Sequence, residues 1–183
     1  MKRRAALWCL GFWAMGTIAV AVAATESFAV VDRLLGTLPN AEFGTRVGEM
    51  GSDAARELLR YLSSEVNRTF FGLWGWTQLP LSALVLWLVW GEKPLRIRYG
   101  VVAMLILAGI LAFVLTPPIV SIGRALDFVP RDPAPPELAT FGLLHAAYSV
   151  AEFAKLGMGL LVSFWLLRPT PDHAERRATS ALG

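Results

Sequence analysis

Five side chains able to carry protons or form strong hydrogen bonds fall inside one apolar stretch: His145, Tyr148, Ser149, Glu152 and Lys155. The stretch is LLHAAYSVAEFAKLGMGLLVSFWLL, Leu143 to Leu167, long enough to cross a bilayer as a helix. At about 100° per residue the five share a sector of about 120°. Ala147, Ala151 and Ala154 fall beside that sector, and small residues let helices approach closely. Leu143, Val150, Phe153, Leu161 and Phe164 take the remaining side. The spacing therefore predicts a polar face, a small-residue packing face and an apolar face on one helix.

A charge near a bilayer centre costs at least about 2.5–3.5 kcal/mol, so Glu152 and Lys155 need a reason. They stand three residues apart, a spacing at which helical side chains meet, and pairing offsets part of the cost. Two readings follow. One is a structural ion pair satisfied by neighbouring helices. The other is a path for a proton, cation or small solute lined by the polar face. Gln78 is a candidate partner, as are Glu65, Asn67 and Arg68 in the run SSEVNR. Glu65 and Arg68 form a further pair three residues apart, placed to feed the His145 end of the polar face. Thr25, Glu26, Asp32 and Arg33 read as residues at a membrane interface.

Other chemistry finds no support. No nucleophile–base motif, glycine-rich phosphate loop or His/Cys ligand spacing occurs, so neither a catalytic set nor a cofactor is expected. His145, Glu152 and Glu65 would make only a mixed nitrogen–oxygen metal set with no recognisable spacing, and no metal site is assigned. The single cysteine, Cys9, excludes an internal disulfide. The net charge of +3 comes from basic residues flanking apolar blocks, a pattern that does not suggest nucleic acid.

Positioning these residues falls to four apolar blocks, at about 5–24, 70–90, 99–122 and 138–167, in a chain of 183 residues that is 55% hydrophobic. A soluble domain has about 45–50% apolar residues. The expected fold is an all-α membrane protein, a single four-transmembrane-helix bundle over residues 1–167, with residues 168–183 as a disordered tail. MKRR, an apolar core and AVAA also fit a secretory signal peptide. The block's length and its two tryptophans favour a retained first span.

Between the first two blocks, GSDAARELLRYLSSEVNRTFF carries Ser52 and Asp53 as helix caps and apolar residues at Ala55, Leu58, Leu59, Leu62 and Val66. It predicts an amphipathic helix in the first loop, lying on the membrane surface or running straight into the second span. Pro80 is expected to kink that span, and Thr116, Pro117 and Pro118 to kink or end the third.

The termini and the 91–98 loop hold nine basic and three acidic residues, against seven basic and ten acidic in loops 25–69 and 123–137. The positive-inside rule then puts both termini in the cytoplasm of a bacterial cell, with the chain multi-pass in the inner membrane. Trp87, Trp90 and Trp165 are expected at the inner interface, Trp74 and Trp76 toward the outer one. The alanine strip predicts a protein partner or a homo-oligomer within the lipid bilayer. The composition fits a structural, accessory or assembly component better than an enzyme, with transport of a small solute, metal or proton as the alternative.

Three runs also resemble a family of small four-span bacterial membrane proteins related to the transmembrane-protein-205-like domain. They are SSEVNRTFFGLW (Ser63 to Trp74), LTPPI (Leu115 to Ile119) and FGLLHAAYSVAEFAK (Phe141 to Lys155). That resemblance implies a helical bundle with no settled catalytic activity. In the eukaryotic relatives it implies an association with tolerance of metal-containing drugs. It brings no binding residues.

Overall fold

A computed structural model describes residues 1–168. All regular structure among them is helical: α1 (Lys2–Thr37), α2 (Ala41–Met50), α3 (Ser52–Val89), α4 (Arg96–Gly109), a π-helical segment (Ile110–Leu115), α5 (Thr116–Ala125) and α6 (Glu137–Leu167). Four helical stretches are long and apolar enough to cross a membrane: Lys2–Thr37, Ser52–Val89, Arg96–Ala125 and Glu137–Leu167. The tail expected beyond Arg168, with His173, lies outside the described residues.

The helices outrun the apolar blocks. Residues 25–37 continue α1 rather than opening a loop, and residues 52–69 are the first half of α3 rather than a separate helix. Of the two placements expected for 52–69, the chain takes the one that runs straight into the second span. At about 1.5 Å per residue, α1 and α3 each exceed 50 Å, while a hydrocarbon core is about 30 Å thick. Their far ends pair with one another beyond the apolar blocks. There Arg56 and Arg60 reach Asp32, and Ser63 Oγ donates to the Ser27 carbonyl at 3.2 Å. The short α2, capped by the Asn40 side chain accepting from the Phe43 N–H, fills the connection.

The buried line of α3 is not its apolar line. Ala55, Ser63, Asn67, Trp74, Gln78, Ser82, Val85 and Val89 face inward at intervals that fit a helical seam, whereas Leu58, Leu62 and Val66 are exposed. Polar residues on the seam satisfy one another across helices. Asn67 Nδ2 donates to the Ala24 carbonyl at 3.1 Å and to Ser27 Oγ at 3.0 Å.

Close approach of α1 and α3 depends on Gly16. A Cβ there would sit 2.1 Å from Cη2 of Trp74, whose indole fills the space instead and donates to Thr17 Oγ1 at 3.3 Å. Trp74 is therefore a buried packing residue, not the interfacial ring its position in the sequence suggested, while Trp76 is exposed and edge-on to Phe113. The apolar core runs from Ala6, Leu10 and Trp13 through Val85 and Val89 to Val101, Met104 and Val162.

The helix continues through Pro80 and also past Pro117 and Pro118. Pro117 and Pro118 offer no N–H to the preceding π-helical segment, which runs straight into α5. Thr116 Oγ1 donates to the Leu111 carbonyl at 2.7 Å, helping to satisfy a backbone group in that segment.

At one end Arg3 ties the N-terminus to the 91–98 loop and to the end of α6. It donates to the Arg168 carbonyl at 2.9 Å and lies 3.5 Å from Glu92. Lys2, Arg98 and Arg96 sit over the rings of Trp87, Trp90 and Trp165, so those three tryptophans gather at this basic end.

Candidate functional site

Within the polar face of α6, Tyr148 and Lys155 turn inward and Glu152 lies half-buried beside them, while His145 stays exposed. Lys155 is 1% exposed, yet two oxygens take its ammonium hydrogens. One is Oε1 of Glu152, one turn back on the same helix, at 2.8 Å. The other is Oε1 of Gln78 on α3, which also accepts from Nε1 of Trp13 on α1 at 2.9 Å. Two donors on one oxygen fix the orientation of the amide, since its nitrogen could serve neither. The ammonium also lies 5.8 Å from the centre of the Trp13 ring. Tyr148 closes the group from the other side, its hydroxyl 3.4 Å from Glu152 Oε1.

Three helices that are distant in sequence are thereby joined at one buried point. The network holds one spare donor and one spare acceptor: Gln78 Nε2 and Glu152 Oε2 are buried without a hydrogen-bond partner among the described residues. Ser82 Oγ, one turn beyond Gln78, donates to its backbone carbonyl at 2.6 Å.

The packing side and the polar side of α6 coincide. Tyr148, Lys155, Val162 and Leu166 are its buried residues, while Ala147 and Ala154 are exposed and Ala151 is half-buried. Ala147 and Ala154 thus face away from this chain's own helices. Ser149 stays on its own helix, donating to the His145 carbonyl at 2.9 Å.

A second cluster forms where α3 meets the turn after α5. Arg68 grips Asp127 with two parallel bonds, at 2.8 and 3.0 Å, and Glu65 with a third at 2.6 Å. Arg124 closes the set with bonds of 3.2 Å to both oxygens of Glu65. Two cations thus balance two anions. The Glu65–Arg68 pairing follows from spacing, but Asp127 and Arg124 had no signal in the sequence, because a short loop of mixed charge carries no register.

Between this cluster and the Lys155 network lies a cavity of about 360 Å³, walled by α1, α3, α5 and α6. Arg68, Asn67, His145 and Tyr148 all reach its surface. His145 itself is exposed and stacks on Phe141 with ring centres 5.9 Å apart. On the other side of the network a smaller cavity of about 160 Å³ between α1 and α6 includes Lys155 and Trp13 in its wall. The two cavities flank the network, and the polar face of α6 is their shared boundary.

No family model, curated protein or solved structure matches this chain. Its own geometry carries the functional reading. Trp13 is the member of the network that sequence reasoning missed. An indole N–H is a donor only and, when buried, usually finds an acceptor, so a tryptophan in the first span facing a glutamine in the second was the available clue. Among the described residues no group of three His, Cys, Asp or Glu side chains is arranged to hold a metal ion.

Proposed function

We propose that this chain is a small integral membrane protein with a structural or accessory role, assembling with itself or with another membrane protein. Its four long helices would cross the inner membrane of a bacterium, with both termini in the cytoplasm. Large apolar side chains that stay exposed on them support this, among them Trp8, Leu143, Val150 and Phe153, each at least 69% exposed. So does the gathering of Lys2, Arg3, Arg96 and Arg98 at one end with three tryptophans beneath them. The far halves of α1 and α3, with α2 between them, would stand on the extracytoplasmic side. There the exposed Leu58, Leu62 and Val66 offer an apolar face to the membrane surface or a partner. Kinship with the transmembrane-protein-205-like family rests on the three sequence runs alone.

The observation that carries the structural reading is the Lys155–Gln78–Trp13–Glu152 network. Its ionisable groups are engaged in joining α1, α3 and α6, and the alanines next to them are left facing outward for another helix. Cysteine cross-linking in native membranes tests the assembly. With Cys9 replaced by serine, Ala154→Cys is expected to trap a cross-linked species, a dimer of this chain or an adduct with one partner. Cross-linking no stronger than at Phe164→Cys would count against the alanine face.

A second reading, permeation of a proton, metal or small solute, has its own support. The two cavities flank the network, and between them Gln78 Nε2 and Glu152 Oε2 are buried without a hydrogen-bond partner among the described residues. Its test is flux through reconstituted vesicles in the wild type and in Glu152→Gln.

A further inference from the structure

We infer that the larger cavity is a binding site for a neutral, lipid-soluble molecule with a planar ring bearing a carbonyl or hydroxyl group, of the quinone or phenol type. The inference stands apart from the assembly reading and would survive its failure. Volume is the first consideration: about 360 Å³ lies within the range of small-ligand pockets, roughly 300–1,000 Å³. Part of that space exists because residue 123 is glycine. A Cβ there would come 3.2 Å from the Phe141 ring and 3.3 Å from the Arg68 guanidinium.

Charge is the second. Arg68 reaches the wall, but its two terminal nitrogens are engaged by Asp127 and Glu65, and with Arg124 the cluster sums to zero. An anion would find no free cation there. The third consideration is hydrogen bonding. The hydroxyls of Thr25, Ser64 and Thr116 donate to carbonyls of their own helices, and Tyr148 donates to Glu152. His145 alone among the polar lining side chains makes no hydrogen bond to another described residue, and its ring stacks beside Phe141 with centres 5.9 Å apart. One free imidazole can meet one carbonyl or hydroxyl. The walls around it present the aromatic rings of Phe28, Phe71, Phe141 and Tyr148, which accept a planar apolar body by stacking and edge contacts.

The test uses the full chain in mild detergent with a decyl-substituted 1,4-benzoquinone as probe, read as the shift of the thermal unfolding midpoint with probe concentration. A saturable shift is expected for the wild type. His145→Phe should raise the half-saturating concentration roughly tenfold, the loss of about one hydrogen bond. His145→Gln should restore most of it, and Gly123→Leu, which fills the cavity, should remove the shift. Should Gly123→Leu fail to fold, the His145 pair decides alone. No saturable shift in the wild type, equal half-saturation in wild type and His145→Phe, or a larger shift with decanoate than with the quinone would each overturn the assignment.

Discussion

Lys155 and Gln78, 77 residues apart in the chain, meet inside the bundle with the amide oxygen accepting from both the Lys155 ammonium and the Trp13 indole. A buried ammonium without acceptors is costly, and Glu152 alone would satisfy only part of its hydrogen-bonding capacity. Gln78 supplies the rest and brings α1 into the same junction. Gln78→Leu should therefore destabilise the protein by about 1.5–3 kcal/mol, the range for hydrogen bonds to charged groups. Unfolding in mixed detergent micelles, followed by circular dichroism, measures it. A change within a few tenths of a kcal/mol would mean that the junction is not holding the helices.

The contact of Gly16 with Trp74 makes a steric prediction. Gly16→Ala forces a methyl group into the indole ring and should cost about 1–3 kcal/mol, the usual range for overpacking. Trp74→Leu in the same chain should recover part of that loss by making room. Two costs that simply add in the double variant would show that the two residues do not share a space.

Much of this architecture was legible before any coordinates, and the limits are instructive. Block length and hydropathy locate the four long helices, because about 20 apolar residues have few other uses. Helical angle puts Glu152 and Lys155 on one face and pairs Glu65 with Arg68. What angle cannot say is what a face meets. Small residues on a helix face mark a close approach without saying to which helix: Ala147 and Ala154 look outward, while Tyr148 and Lys155 do the packing within this chain, because the network with Gln78 and Trp13 draws Lys155 in. Along the first half of α3, Leu58, Leu62 and Val66 on the apolar face of the expected amphipathic helix are exposed. The inward line instead carries Ser63 and Asn67, which bond to α1. In both places cross-helix hydrogen bonds decide which side turns inward, and such bonds depend on register between distant segments.

The pair of bonds from Arg68 to Asp127 anchors the turn after α5 to α3. Asp127→Ala removes two of the three bonds Arg68 makes to carboxylates. Amide exchange in residues 126–136 is expected to accelerate, with little change in residues 96–109. Uniform exchange before and after the substitution would show that the turn is held by other contacts.

Ala154 is exposed, so enlarging it should leave the single chain intact. Ala154→Phe is expected to preserve the unfolding midpoint within about 0.5 kcal/mol. It should also weaken assembly at least tenfold, as counted by single-molecule photobleaching in lipid bilayers. Unchanged assembly would move the partner surface elsewhere, with the exposed residues of α3 next in line.

Orientation is checked independently. A cysteine at Ser52, with Cys9 removed, should react with a membrane-impermeant thiol reagent in intact cells. Reaction only after lysis would invert the topology.

The central claim is that Lys155, paired with Glu152, joins helices rather than that the pair conducts. Proton and cation flux in vesicles holding the wild type or Glu152→Gln tests it most directly, with circular dichroism confirming that both are folded. The expected result is no flux that depends on Glu152. Conduction by the wild type that disappears in folded Glu152→Gln would contradict the claim and make the polar face of α6 a path.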